Sequence, residues 1–94
     1  MMVKVIGPNR QKDELFCSMI SKGSLFLETN RPYEVGDDVF LAFNLPSGYP
    51  IQTWGMVRST KSVKSASLDS PAGMEIFFSL KDESKKALDQ LLGD

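Results

Sequence analysis

The sequence predicts a small all-β domain with a C-terminal helix: a six-stranded antiparallel barrel plus one α-helix. Three observations carry that expectation. Short apolar runs recur along the chain and are punctuated by Gly, Pro, Asn and Ser, the pattern of brief strands joined by turns. Where the periodicity is clean it is two residues, with Val39, Leu41, Phe43 and Leu45 on one face and Phe40, Ala42 and Asn44 on the other. The period changes to that of a helix only near the end, where Leu80, Ala87, Leu88, Leu91 and Leu92 share one stripe. At 94 residues the chain forms a single domain, 1–94, with the barrel over about 2–79 and the helix over about 82–92.

Residues 1–6 form the first strand, and Gly7-Pro8-Asn9 turns it. Residues 10–14 are polar and belong to that turn's far side. Residues 15–20 make a second strand whose poor periodicity leaves its faces unassigned. Ser21-Lys22-Gly23-Ser24 is a tight connection in which Gly23 is expected to take a positive φ. Residues 25–29 follow, with Leu25 and Leu27 inward and Phe26 and Glu28 outward. Pro32 and Gly36-Asp37 mark a corner before the fourth strand, 38–45. A five-residue loop, 46–50, leads into the fifth, 51–59. That loop pairs Leu45 with Ile51, Leu41 with Gly55, Phe40 with Met56 and Ala42 with Trp54. Gly55 against a large residue predicts a bend or a close approach. Residues 60–72 are rich in Ser and Lys and read as a loop. Gly73 opens a sixth strand with Met74, Ile76 and Phe78 inward. Asp82 and Glu83 suit the first turn of the helix, and Gly93 its end.

Composition excludes several classes of function. The chain has no histidine, which removes Ser-His and Cys-His catalysis and the commonest metal ligand. Neither spacing of a glycine-rich phosphate loop is present. The acids Asp13, Glu14, Asp37 and Asp38 are expected at turns, in water. The sequence therefore predicts a protein that is not an enzyme and carries no metal or cofactor. Cys17 is expected to be a small buried apolar group, without the basic neighbour that would activate a thiol. A net charge of −1 gives no global attraction for nucleic acid or anionic lipid. No apolar run approaches membrane length, and no signal-peptide pattern opens the chain, so a cytoplasmic location is expected.

Three pieces of the chain, in this order and spacing, resemble the PilZ family of small bacterial β-barrels. The first is Ile20-Ser21-Lys22-Gly23-Ser24-Leu25-Phe26-Leu27-Glu28-Thr29. The second is Arg31-Pro32, then Val35-Gly36 and the alternating strand to Leu45-Pro46. The third is Gly73-Met74-Glu75-Ile76-Phe77-Phe78 leading into the helix. The resemblance covers roughly residues 3–92. It implies the barrel already predicted, and it raises cyclic di-GMP as a ligand.

Nucleotide-binding PilZ domains carry Arg-x-x-x-Arg, whose flat guanidiniums grip phosphate, and Asp/Asn-x-Ser-x-x-Gly at the second turn. Here the second motif aligns as Met19-x-Ser21-x-x-Ser24, and only Ser21 matches. The arginine pair would fall before Met1. The early arginines are Arg10, which has Glu14 four positions on, and Arg31. Ser21, Ser24, Arg10 and Arg31 are thus what remains of the ligand positions. The resemblance implies a degenerate member that binds cyclic di-GMP weakly or not at all. Members of that kind act through protein–protein contacts, including those that regulate type IV pili and motility. The alternatives are a receptor domain using a non-standard cyclic di-GMP site, and a small RNA-binding barrel built on a basic edge of Arg58, Lys61, Lys64 and Lys22.

The residues themselves point to one surface. Trp54 and Met56, with Phe40 beside them, fall on the outward face of the fourth and fifth strands and are not needed to fill the interior. Two readings are open for them: an exposed protein-interaction patch, or a face covered by the C-terminal helix through Leu88, Leu91 and Leu92.

Overall fold

The computed structural model describes residues 1–93. Six strands run in chain order as β1 (Met2–Ile6), β2 (Lys12–Ile20), β3 (Ser24–Glu28), β4 (Asp38–Asn44), β5 (Pro50–Lys61) and β6 (Gly73–Phe78). One helix, α1 (Asp82–Leu91), follows. The strands close into an antiparallel barrel in the order β1-β2-β3-β6-β5-β4. This is the predicted fold class.

Alternation decides the interior. Val3, Val5, Leu25, Leu27, Val39, Leu41, Ile51, Val57, Met74 and Ile76 are all essentially inaccessible and form one cluster. Leu88 of α1 joins that same cluster, so the helix plugs the barrel with its apolar stripe. Leu80, Ala87 and Leu92 pack around it, while Leu91 stays exposed. Gly93 ends the helix with φ +79, a conformation that suits glycine.

Antiparallel order fixes the two ends. β1, β3 and β5 point one way, so connections 7–11, 29–37 and 62–72 share one end of the barrel. Connections 21–23 and 45–49 share the other with the entry to α1.

Several local expectations are corrected. β2 begins at Lys12, because Lys12, Asp13 and Glu14 pair with Ile6, Val5 and Lys4. Charged Lys12 and Glu14 are compatible with a strand whose outer face meets water. Asp13 and Glu14 therefore lie in β2 and Asp38 in β4, not in turns. The poor periodicity of β2 has a cause: the register shifts between Cys17 and Met19, leaving Ser18 as an extra residue. A similar shift between Val57 and Ser59 leaves Arg58 extra in β5.

The β4–β5 hairpin is displaced by two residues from the predicted register. Phe43 faces Ile51, Leu41 faces Thr53, Phe40 faces Trp54 and Asp38 faces Met56. The Leu45 N–H donates to the Tyr49 carbonyl at 2.9 Å, which shortens the loop to Pro46-Ser47-Gly48. Gly48 takes φ +93 to close it. A shift of two keeps every side chain on its own face, so the inward set survives. Gly23 does not take a positive φ; the turn is closed instead by the Ser21 N–H donating to the Ser24 carbonyl at 2.8 Å.

Gly55 and Gly73 mark close approaches. A Cβ at Gly55 would lie 2.7 Å from Ile76 Cγ2 and 2.8 Å from the Phe77 carbonyl oxygen. At Gly73 it would lie 2.1 Å from the Leu27 carbonyl oxygen.

Truncating the helix plug should separate the two leucines of α1. Leu88→Ala should cost about 2–5 kcal/mol, and Leu91→Ala less than about 1 kcal/mol, measured by urea denaturation followed by circular dichroism.

Candidate interaction surface

The outer face of β4 and β5 presents large apolar groups that the interior has no room for. Phe40 and Trp54 are register partners, and their rings meet edge to face at 5.3 Å between centroids. Trp54 is 65% exposed and Met56 45%, so α1 does not cover this face. The barrel order extends the patch to both sides. Ile6 of β1 pairs with Phe40, and Phe77 of β6 pairs with Met56; both are exposed. The result is an apolar ridge across four adjacent strands. The Arg58 guanidinium lies over the Phe77 ring at 4.3 Å from its centroid and places a cation at the ridge's edge.

Sequence alone placed Phe40, Trp54 and Met56 on this face but could not attach Ile6. That needed the neighbour relation between β1 and β4, which only barrel closure creates. Arg58 shares the outward face of β5 with Trp54 and Met56, and Phe77 lies opposite Met56, so the two meet across β5 and β6.

The four residues suggested by the family resemblance are not gathered into one site. Ser21 and Ser24 close the β2–β3 turn, their hydroxyls 2.9 Å apart. Arg10 follows β1 and Arg31 follows β3, so both lie at the opposite end of the barrel. Arg10 and Asn9 take φ +61 and +58 and turn the chain toward β2. The basic edge is not continuous either. Lys61 donates to the Ser70 hydroxyl, Arg58 stacks on Phe77, and Lys22 sits in the turn at the far end.

Cys17 is buried and its thiol donates to the Met19 carbonyl at 3.1 Å. Burial pushes that thiol above its ordinary pKa, which disfavours the reactive thiolate.

Tyr33 ties the end that carries Arg10 and Arg31. Its ring fills the space beside Gly7, where a Cβ would come within 2.5 Å of Tyr33 Cε2. Its hydroxyl donates to Asp13 Oδ2 at 2.5 Å. Partial burial, the hydrogen bond and the carboxylate's charge all push the phenol above its ordinary pKa.

No family model and no curated protein matches the chain.

The raised phenol predicts a pH signature. The folded state holds the Tyr33 proton more tightly than the unfolded chain, so this contribution is complete below about pH 10. It is lost as pH rises through the folded value. Denaturation midpoints should therefore fall more steeply above about pH 10 in the wild type than in Tyr33→Phe. Parallel curves for the two would exclude the Tyr33–Asp13 bond as a stabilising contact.

Proposed function

We propose that this chain is a non-enzymatic, PilZ-like interaction module of bacterial signalling or motility regulation, acting in the cytoplasm through contact with a protein partner. One observation carries the reading: Ile6, Trp54, Met56 and Phe77 are exposed around half-buried Phe40, on a barrel whose interior is already filled. Contiguous exposed apolar surface on a small domain marks an interaction site. Trp is enriched among residues that dominate binding energy, and Met adapts to irregular surfaces. Arg58 at the margin adds a charged group that can select partner orientation.

The scattering of Ser21, Ser24, Arg10 and Arg31 over two barrel ends supports a role that does not depend on tight cyclic di-GMP binding. Without the arginine pair, each missing charge-assisted hydrogen bond to phosphate weakens binding by about 1.5–3 kcal/mol, or about one to two powers of ten in affinity. Calorimetric titration at low salt should show no cyclic di-GMP binding tighter than about millimolar. A micromolar affinity would favour the alternative, a receptor domain with a non-standard site. A gel shift with single-stranded RNA at two salt concentrations tests the RNA-binding alternative, since phosphate-driven binding weakens as salt rises.

The decisive variant is Trp54→Ala. Removing the edge-to-face packing with Phe40 costs about 1 kcal/mol, which lowers the melting temperature by about 4–8 °C. A partner retained by the wild type in pull-down from the native cell should lose at least about tenfold in affinity for this variant, measured by calorimetry with the purified partner. Unchanged affinity would remove the ridge from the reading.

A further inference from the structure

We propose a second docking site, independent of the Trp54 ridge, in the groove between the β5–β6 connection and the outer face of β2 and β3. Its occupant is a partner segment that carries arginine or lysine between apolar side chains.

The groove measures about 550 Å³, and its apolar lining is Met19, Phe26, Leu68 and Pro71. The backbone sets where Met19, Phe26 and Leu68 stand. The β2 bulge turns Met19 outward, where it is 73% exposed. The Phe26 ring lies over Gly73, where a Cβ would come within 2.7 Å of its Cε2. Leu68 stands at the tip of a two-residue turn whose flanking serines exchange backbone hydrogen bonds, Ser67 N–H to Ser70 O at 2.8 Å and Ser70 N–H to Ser67 O at 3.2 Å. The base of this connection is anchored by the Thr29 N–H donating to the Ala72 carbonyl at 3.1 Å and by Lys61 donating to Ser70. Leu68 is thereby fully exposed on a backbone that is tied at both ends. A side chain presented on a tied backbone spares a partner the cost of ordering the loop. Leu68 is fully exposed, so an occupant that covers it together with the groove has the extent of a protein segment.

Charge selects the segment. Glu28 and Asp69 line the groove, and Glu75 is the register partner of Phe26. Lys61, the cation of the lining, donates to Ser70 and keeps its charge, and Glu28, Asp69 and neighbouring Glu75 outnumber it. The groove therefore presents carboxylates beside an aromatic face, the surroundings in which a guanidinium or ammonium is bound by both. Methionine and leucine accept the flanking apolar side chains.

The test titrates isotope-labelled protein with two synthetic peptides of equal length and apolar content, one bearing arginine and the other glutamate, read by NMR amide shifts. The arginine peptide should move the amides of Met19, Phe26, Thr60 and Asp69 and leave the Trp54 indole in place. The glutamate peptide should bind at least about tenfold more weakly. Glu28→Gln combined with Asp69→Asn, and separately Leu68→Ala, should each weaken the arginine peptide by about fivefold or more. These positions are partly or fully exposed, and unshifted resonances elsewhere verify that the variants remain folded. Equal affinity for both peptides, absence of saturable shifts at the groove, or full affinity in the variants would overturn the proposal.

Discussion

Closing six strands on themselves leaves an interior that one layer of inward side chains must fill, and every other feature of the molecule answers to that limit. The interior takes aliphatics from β1, β3, β4, β5 and β6 together with Cys17, Phe43, Met74 and Phe78, and α1 adds Leu88. Two glycines sit where neighbouring backbone or side chains come too close for a Cβ, Gly55 under Ile76 and Gly73 against Leu27. Two bulges, at Ser18 and Arg58, provide the local bends that an uninterrupted ladder resists.

The same limit governs the outside. Alternation sends Trp54, Phe40 and Phe77 outward while their neighbours fill the interior, and closure brings them together across strands distant in sequence. Both bulges also act outward. One turns Met19 to the surface and the other brings Ser59 out opposite Glu75. Sheet curvature and surface chemistry are thus set by the same two extra residues.

Fold class was legible because β4 and β6 alternate cleanly and α1 changes period. The inward faces of β3, β4 and β6 could be read directly for the same reason. What could not be read depended on pairing. The β4–β5 register hung on whether Pro46-Ser47-Gly48 or a longer stretch forms the loop, a choice made by one hydrogen bond between Leu45 and Tyr49. The start of β2 was hidden because Lys12 and Glu14 look like turn residues until β1 is placed beside them. The ridge was half legible: Trp54, Met56 and Phe40 follow from alternation, whereas their junction with Ile6 requires knowing that β1 neighbours β4. Exposure of the ridge was undecidable in one dimension, since the apolar stripe of α1 fits a barrel mouth and a sheet face equally well.

Closure has a further consequence for recognition. An open sheet offers a partner its outermost row of amide and carbonyl groups, and a strand can be added there with little regard to sequence. Among the described residues each strand is paired on both sides, the β1–β4 seam over Lys4–Ile6 and Phe40–Ala42, so none presents a whole free edge. Whatever docks on the barrel wall is held chiefly by side chains. Specificity then resides in a few exchangeable residues, so a partner can be gained, dropped or replaced by single substitutions that leave the backbone framework untouched.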